Sequence, residues 1–207
     1  MHRTSGHRLG EEVAAPADTG CSPLSRSAVV DLAGLRMGDV VVAVGCGGCR
    51  DAAKIAQSVG PAGRAILVDA SGESLQPPWE AAHAPPWARL LVRGDAAAMG
   101  LRSSVADVVV VNCAMHDRLD RAAVYAEIHR VLKPGGRLVV SDEVVATSRG
   151  AYGAPRAALD RVTITEPECL ATVRAAGFDR VTLLQRTAPY EVHGRIVLSL
   201  TLQADRG

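Results

Sequence analysis

A glycine-rich segment directly follows a continuous apolar run. Residues 40–44 read Val-Val-Val-Ala-Val, and residues 45–48 read Gly-Cys-Gly-Gly. Glycines between a buried strand and a helix let the backbone approach a ligand closely, and the start of the helix offers free N–H groups. Asp69 ends the next apolar run, where a carboxylate can accept both hydroxyls of a ribose. The spacing predicts a site for a nucleoside-containing cofactor, NAD or S-adenosylmethionine. A tight turn beside a surface aspartate is the alternative interpretation.

Cysteines supply a second set of reactive side chains. There are five, and an odd count in a chain of this length favours reduced thiols over a disulfide scaffold. Cys46 and Cys49 form a C-x-x-C pair, which is typical of half a metal site or of a redox pair. The pair is equally compatible with two small residues that fill a tight loop. A metal or metalloid site therefore stays open, and its candidate ligands are Cys21, Cys46, Cys49 and Cys113.

A histidine lies close in sequence to the fourth cysteine. His116 follows Cys113 by three residues, just after the apolar run at 108–111. An imidazole can accept a proton near neutral pH, and a free thiol can bind a soft substrate. Cys113 and His116 are therefore the candidate catalytic residues. The alternative is a buried apolar cysteine followed by a solvated histidine.

The composition limits the classes of protein to which the chain can belong. With 207 residues, 48% hydrophobic and 22% charged, the chain suits one globular domain. No apolar run reaches the roughly 18 residues of a membrane helix, and the N-terminus lacks the apolar core of a signal peptide. A net charge of +1 and 3% aromatic residues argue against a nucleic-acid partner. We expect a cytoplasmic protein with a flexible tail over residues 1–20 and a single domain over 21–207.

Strand and helix patterns alternate along that domain. Helices are predicted at 29–35, 50–59, 80–83, 121–132 and 167–176, the last capped by Thr165 with Glu168 three residues on. Strands are predicted at 40–44, 65–68, 90–92, 108–111, 138–140, 181–184 and 196–202. The final strand alternates between apolar and polar residues, as an antiparallel strand does. The pattern predicts an α/β fold with a doubly wound, mostly parallel sheet of seven strands.

Five motifs follow one another in a fixed order. They lie at 42–48, 68–69, 94–99, 107–113 and 127–138, and the last, Glu-Ile-His-Arg-Val-Leu-Lys-Pro-Gly-Gly-Arg-Leu, is the most specific. In this order they resemble the class I S-adenosylmethionine-dependent methyltransferases, and the resemblance covers residues 29–204. It implies a Rossmann-like fold, S-adenosylmethionine as the cofactor, and transfer of its methyl group to a small molecule.

The resemblance also implies roles for individual residues. The segment that begins at Gly45 would pass under the methionine and ribose parts of the cofactor, and Asp69 would hold the ribose hydroxyls. Asp95 and the backbone of Ala96 would contact the adenine edge. Asn112 and Cys113 would line the side of the methyl group, with His116 nearby. The implied cofactor-binding residues are Gly45, Cys46, Gly47, Asp69, Asp95, Ala96 and Asn112.

Within this class the chain is most similar to the arsenite methyltransferases. Gly-Cys-Ser-Pro at 20–23, Asn112-Cys113 and Ser141-Asp142 match segments of that branch. Those enzymes bind arsenic through three or more thiolates, and the resemblance puts a further cysteine where this chain has Leu159. Cys169 falls within the following helix instead.

Two positions depart from the pattern of the class. The residue two places before the first glycine is usually acidic but is Ala43 here, and the third glycine is Cys49. The resemblance implies an acceptor that is a thiol, an arsenical or an oxygen, nitrogen or carbon atom of a natural product. The alternative is a repurposed fold with chemistry other than methyl transfer, or with a metal or metalloid on its cysteines. A monomer and a homodimer both stay open.

Overall fold

The computed structural model describes residues 29–45, 49–70, 89–112, 114–115, 120–146, 164–192 and 195–207. The predicted tail over 1–20 and the short helix at 80–83 lie outside these residues. The predicted division into a tail and one domain therefore stays a prediction.

The described residues alternate between strands and helices in the predicted order. The helices are α1 (Val29–Leu32), α2 (Cys49–Val59), α3 (Arg121–Val131) and α4 (Glu166–Ala175). The strands are β1 (Val40–Val44), β2 (Arg64–Asp69), β3 (Arg89–Arg93), β4 (Ala106–Asn112), β5 (Leu132–Val145), β6 (Arg180–Arg186), β7 (Tyr190–Val192) and β8 (Arg195–Asp205).

One mixed sheet contains these strands in the order β3-β2-β1-β4-β5-β8-β6, and β7 pairs with β8. Strand β1 is parallel to both of its neighbours, with Val44 opposite Val68 of β2 and Val111 of β4. Strand β8 is antiparallel to β5 and β6. The chain runs to opposite sides of the sheet from β1, so the crevice between β1 and β4 is the switch point where doubly wound folds bind ligands. The predicted fold class is confirmed, with the short β7 as an additional strand.

Strand β1 is buried on both faces because helices cover both sides of the sheet. Val42 and Val44 face a core that contains Tyr125 and Ile128 of α3 and Val173 of α4. On the other face, Val41 and Ala43 join a core that includes residues of α1 and α2. A continuous apolar run with no alternation is what a central parallel strand requires.

Strand β5 begins earlier than the sequence predicted. Leu132 has extended backbone directly after α3 and pairs with Ala106 of β4, and the register then shifts before Arg137 pairs with Val108. The irregularity depends on two glycines: Gly135 has a φ of +78°, and a Cβ added to Gly136 would lie 2.8 Å from the carbonyl oxygen of Lys133. Residues 133–136, which lie between the predicted helix at 121–132 and the predicted strand at 138–140, are therefore an irregular first part of β5.

Helix α4 begins with the predicted cap. The Glu168 carboxylate accepts hydrogen bonds from the backbone N–H of Thr165 at 2.8 Å and from its hydroxyl at 2.7 Å. These bonds, the backbone one first, lower the pKa of Glu168. The helix start is thus fixed by a local sequence pattern.

Charged side chains connect the strands at the amino edge of the sheet. The Asp107 carboxylate accepts from the backbone N–H of Val40 at 2.9 Å and from Lys133 Nζ at 2.7 and 2.8 Å. Arg137 donates to the carbonyl oxygens of Ala33 and Gly34 at 2.9 and 2.6 Å. These bonds support the sheet from the edge opposite to the switch point.

Across the part of the chain that the structure describes, every helix is too short or too polar to cross a membrane.

Candidate functional site

Four of the predicted cofactor residues lie at one edge of the sheet. Gly45 is the first residue after β1, and Asp95 is the second residue after β3. Asp69 and Asn112 are the last residues of β2 and β4. Because these four strands are parallel neighbours, their carboxyl ends share an edge. The structure thus brings together residues that are up to 67 positions apart in sequence.

Gly45 makes the sharp turn that leaves β1. Its φ is +65°, and its N–H donates to the carbonyl oxygen of Val68 at 3.0 Å. A Cβ at this position would lie 2.1 Å from the Cβ of Ala114, which no side chain can tolerate. Only glycine therefore fits, and the loop backbone passes directly against the segment that follows β4.

Asp95 organises the turn that follows β3. Its Oδ1 accepts from the N–H of Ala97 at 3.0 Å, and its carbonyl oxygen accepts from Ala98 at 3.0 Å. Ala96 is buried between these contacts. The Asp95 side chain itself is exposed. The turn therefore presents a carboxylate and a fixed backbone at the position implied for the adenine.

Two residues of α3 hold this turn in place. Glu127 Oε1 accepts from the N–H of Met99 at 2.9 Å, and Arg130 donates to Glu127 at 2.7 and 2.8 Å and to the carbonyl oxygen of Leu101 at 2.7 Å. The hydrogen bond from Arg130 is the main cause of the lowered pKa of Glu127. Sequence reasoning missed this pair, although the i, i+3 spacing of opposite charges on a helix is a signal for it.

Asn112 is held by a carboxylate that sequence reasoning also missed. Its Nδ2 donates to Asp51 Oδ2 at 2.7 Å. Asp51 lies in the first turn of α2, just after the glycine segment. The contact joins the start of the helix after β1 to the end of β4, across the switch point.

A buried ion pair joins the start of α3 to β5. Arg121 Nη1 lies 2.6 Å from Asp142 Oδ2, and the two side chains are 11% and 4% exposed. Burial lowers the pKa of Arg121, but the charge and hydrogen bond of Asp142 outweigh it and raise the pKa overall. The Arg121 guanidinium is therefore charged at neutral pH.

Cys169 is a core residue beside this ion pair. It is 2% exposed, and burial, followed by the charge of Asp142, raises its pKa to about 11. The thiol is therefore protonated at neutral pH, whereas metals and arsenic bind thiolates. Tyr125 is also buried here, and burial raises its pKa well above the ordinary value.

A second polar cluster lies on the opposite face of β5. The Tyr190 hydroxyl donates to Glu143 Oε1 at 2.7 Å and lies 2.7 Å from Ser199 Oγ. Glu143 and Ser199 are opposite each other on β5 and β8 and are 3% and 4% exposed. Asn112, the last residue of β4, pairs with Ser141 of β5. Glu143 therefore lies on the part of β5 that continues past the end of β4.

Several predicted site residues lie outside the described residues. They are Cys21, Cys46, Gly47, Cys113 and His116. Cys49 begins α2, but its side chain is likewise not described. Within the ranges given above, no three histidine, cysteine or acidic side chains are arranged to hold a metal ion. The thiol site stays a hypothesis.

The carboxyl edge has the features that S-adenosylmethionine requires. Gly45 provides a turn with no side chain, Asp69 is a partly buried carboxylate at the tip of β2, and Asp95 holds an ordered backbone turn. Glycine backbone suits close contact with the cofactor, and a carboxylate at this strand end suits a ribose. The described residues therefore fit the cofactor.

Comparison with known proteins agrees with this fit. Residues 42–140 match the family model described as a methyltransferase domain. An arsenite methyltransferase of Halobacterium salinarum is 29% identical over 145 residues, which are 68% of this chain and 37% of that protein. An uncharacterized 37.1 kDa protein in transposon TN4556 of Streptomyces fradiae is 29% identical over 126 residues, 61% of this chain and 36% of that protein. The chain thus spans little more than a third of these curated relatives.

A solved structure is similar in fold. The arsenic(III) S-adenosylmethionine methyltransferase of Chlamydomonas reinhardtii superposes with a TM-score of 0.69 at 23% identity, covering 81% of this chain and 63% of that one. Residues 42–140 thus resemble a methyltransferase domain, and the fold of the chain is that of a solved S-adenosylmethionine-dependent methyltransferase.

Proposed function

We propose that the chain transfers the methyl group of S-adenosylmethionine to a small-molecule acceptor. The observation that carries the proposal is the placement of Gly45, Asp69, Asp95 and Asn112 at the carboxyl ends of four neighbouring parallel strands. A bound cofactor supplies an electrophilic methyl group on a sulfonium. The chain's residues hold the cofactor and orient the acceptor.

Each edge residue has a binding task in this proposal. The backbone from Gly45 through Cys46 and Gly47 runs under the cofactor, and Asp69 accepts the ribose hydroxyls. Asp95 and the backbone of Ala96 bind the adenine edge, and Glu127 and Arg130 keep their turn in place. Asn112, fixed by Asp51, borders the methyl side.

The acceptor side consists of residues that follow β4. Cys113 binds a soft acceptor, and His116 removes a proton when the acceptor has one to lose. Most of the rate then comes from holding the acceptor in line with the methyl group. Turnover of the His116→Ala variant with a protic acceptor tests that base, and an unchanged pH profile removes it from the mechanism.

The matched relatives favour an arsenical as the first acceptor to test. One relative is named as an arsenite methyltransferase, and a solved structure of similar fold acts on arsenic(III). Cys169 does not add a thiolate, because it is buried and its pKa is about 11. Arsenic binding would therefore depend on Cys21, Cys113 and the cysteines at 46 and 49.

Calorimetry tests the proposal. The full chain, reduced and free of metal, is titrated with S-adenosylmethionine and with S-adenosylhomocysteine, and micromolar binding of either supports the proposal. An absence of binding up to millimolar ligand overturns it and favours the repurposed fold. A shift in melting temperature with zinc or arsenite would then identify the thiol cluster as the site.

A further inference from the structure

The amino-acid end of S-adenosylmethionine carries an ammonium group, and β1 offers it no carboxylate. Ala43 is 2% exposed and packs in the apolar core that contains Ile55 and Val59. The methyl side chain at this position supports the sheet and carries no charge. A carboxylate partner for the ammonium would have to come from another element.

Four residues meet where the chain leaves β1 and β4, and we call them the switch-point cluster: Gly45, Asp51, Asn112 and Ala114. Gly45 approaches Ala114 so closely that an added Cβ would lie 2.1 Å from its Cβ. Asp51 Oδ2 accepts from Asn112 Nδ2 at 2.7 Å and is partly buried. Both contacts bring the segment after β1 onto the end of β4. Asp51 is therefore a carboxylate fixed beside the glycine turn.

We propose that Asp51 supplies the negative charge for the ammonium group of the cofactor and, through its hydrogen bond, orients Asn112. The inference rests on the proposed function, because it assumes that S-adenosylmethionine binds at this edge. A carboxylate makes a strong charge-assisted hydrogen bond to an ammonium. The amide of Asn112 orients that carboxylate from the side of β4.

Two ligands separate this role from a structural one. S-adenosylhomocysteine contains the amino-acid end, whereas 5′-methylthioadenosine keeps the adenine, ribose and sulfur but lacks it. The Asp51→Asn variant keeps an oxygen that can accept from Asn112 but loses the charge. We expect it to bind S-adenosylhomocysteine roughly tenfold to a hundredfold more weakly, the effect of losing one charge-assisted bond. We expect its affinity for 5′-methylthioadenosine to be unchanged.

Further variants provide the controls. Asp51→Glu keeps the charge and should recover part of the affinity for S-adenosylhomocysteine. Asp31→Asn is the matched control, because the Asp31 carboxylate also pairs with a nitrogen of a side chain, Lys54 Nζ at 2.5 Å, but on an exposed surface. It should bind both ligands as the wild-type protein does.

The outcomes are distinguishable. An equal loss of both ligands in Asp51→Asn, or no loss of either, overturns the assignment of Asp51. If the variant does not fold, wild-type protein is titrated with deaminated S-adenosylhomocysteine. Binding as tight as that of the parent ligand overturns recognition of the ammonium. If the wild-type protein binds neither S-adenosylhomocysteine nor 5′-methylthioadenosine, the proposed function itself fails.

Discussion

Single residues at the carboxyl edge depend on partners that are distant in sequence. Asn112 is held by Asp51, and Arg121 is held by Asp142. In each case a polar side chain that is partly or fully removed from water has an oppositely polarised partner. Removing one member of such a pair leaves the other buried without that partner. This lowers the free energy of unfolding more than replacing both members with apolar residues.

The buried ion pair gives the first prediction. Asp142→Asn should lower the free energy of unfolding by about 3 kcal/mol, because it leaves the Arg121 cation in a site with little access to water. Urea denaturation measures the change. The double variant Arg121→Met, Asp142→Leu should lose less than the single one.

Asp31→Asn is the control for this measurement, since its pair with Lys54 is exposed and should be worth about 1 kcal/mol or less. If Asp142→Asn costs no more than Asp31→Asn, the pair does not support the fold.

Cys169 gives a prediction about reactivity. Its pKa of about 11 and its burial mean that folded protein should not alkylate at this residue with iodoacetamide near pH 8. Peptide mapping measures each cysteine separately. In urea the same thiol should react, and equal rates in folded and unfolded protein would contradict its place in the core.

At the scale of elements, the close approach of Ala114 determines which residue can occupy the turn after β1. Gly45 and Gly100 have nearly the same positive φ, +65° and +70°. A Cβ on Gly45 would overlap Ala114, whereas a Cβ on Gly100 meets nothing within 4 Å. Comparing alanine substitutions at these two glycines therefore separates the cost of backbone strain from the cost of close packing.

Gly45→Ala should destabilise the protein more than Gly100→Ala. The control should cost about 1–2 kcal/mol from left-handed strain alone. The Gly45 variant adds overpacking of about 1–3 kcal/mol and should also weaken binding of S-adenosylhomocysteine. Thermal unfolding and calorimetry measure the two effects, and equal costs at both positions would contradict the close approach to Ala114.

How well the elements could be predicted depended on the range of the interactions that form them. Strand β1 matches its predicted bounds, since a run of β-branched residues is a local signal. The start of β5 was missed because Leu132 becomes a strand residue only by pairing with Ala106, and β7 because its three residues pair with β8. Asp51 and Arg121 were missed as site residues because their partners lie 61 and 21 positions away. Periodicity cannot encode such contacts.

At the scale of the whole molecule, the last residues of the described chain hold the far side of the sheet together. Arg206 Nη1 donates to the carbonyl oxygens of His129 at 2.7 Å, Arg130 at 3.2 Å and Leu132. Its backbone exchanges hydrogen bonds with Gly135 and Gly136. A cation at the C-terminal end of α3 also interacts favourably with the helix dipole.

Arg206→Ala should therefore lower the free energy of unfolding by about 1.5–3 kcal/mol, the value of hydrogen bonds to a charged group. It should also raise the pKa of His129, because burial first and the charge of Arg206 second hold that pKa below its ordinary 6.5. Titration of His129 by NMR measures the second effect. An unchanged His129 pKa in the variant would show that the guanidinium does not act on the imidazole.

The lowered pKa of His129 also has a consequence for stability. Folding disfavours a proton on the imidazole, so unfolded chains bind more protons in the window below pH 6.5. The contribution of His129 to the free energy of unfolding is fully present above pH 6.5 and is lost as the pH falls through this window. His129→Gln should remove this part of the pH dependence, as measured by urea denaturation between about pH 5 and pH 8.

The ion pairs described above have a practical consequence for attaching the protein to a surface. The sequence has only two lysines, Lys54 and Lys133. Lys133 lies at the amino edge of the sheet, bound to Asp107, and Lys54 lies on α2 beside Asp31; their side chains are 41% and 42% exposed. Amine-reactive coupling to either side chain would therefore tether the molecule away from the carboxyl ends of the strands. Protein coupled through these lysines should keep the carboxyl edge of the sheet open to solvent, which suits biosensor screening of acceptors.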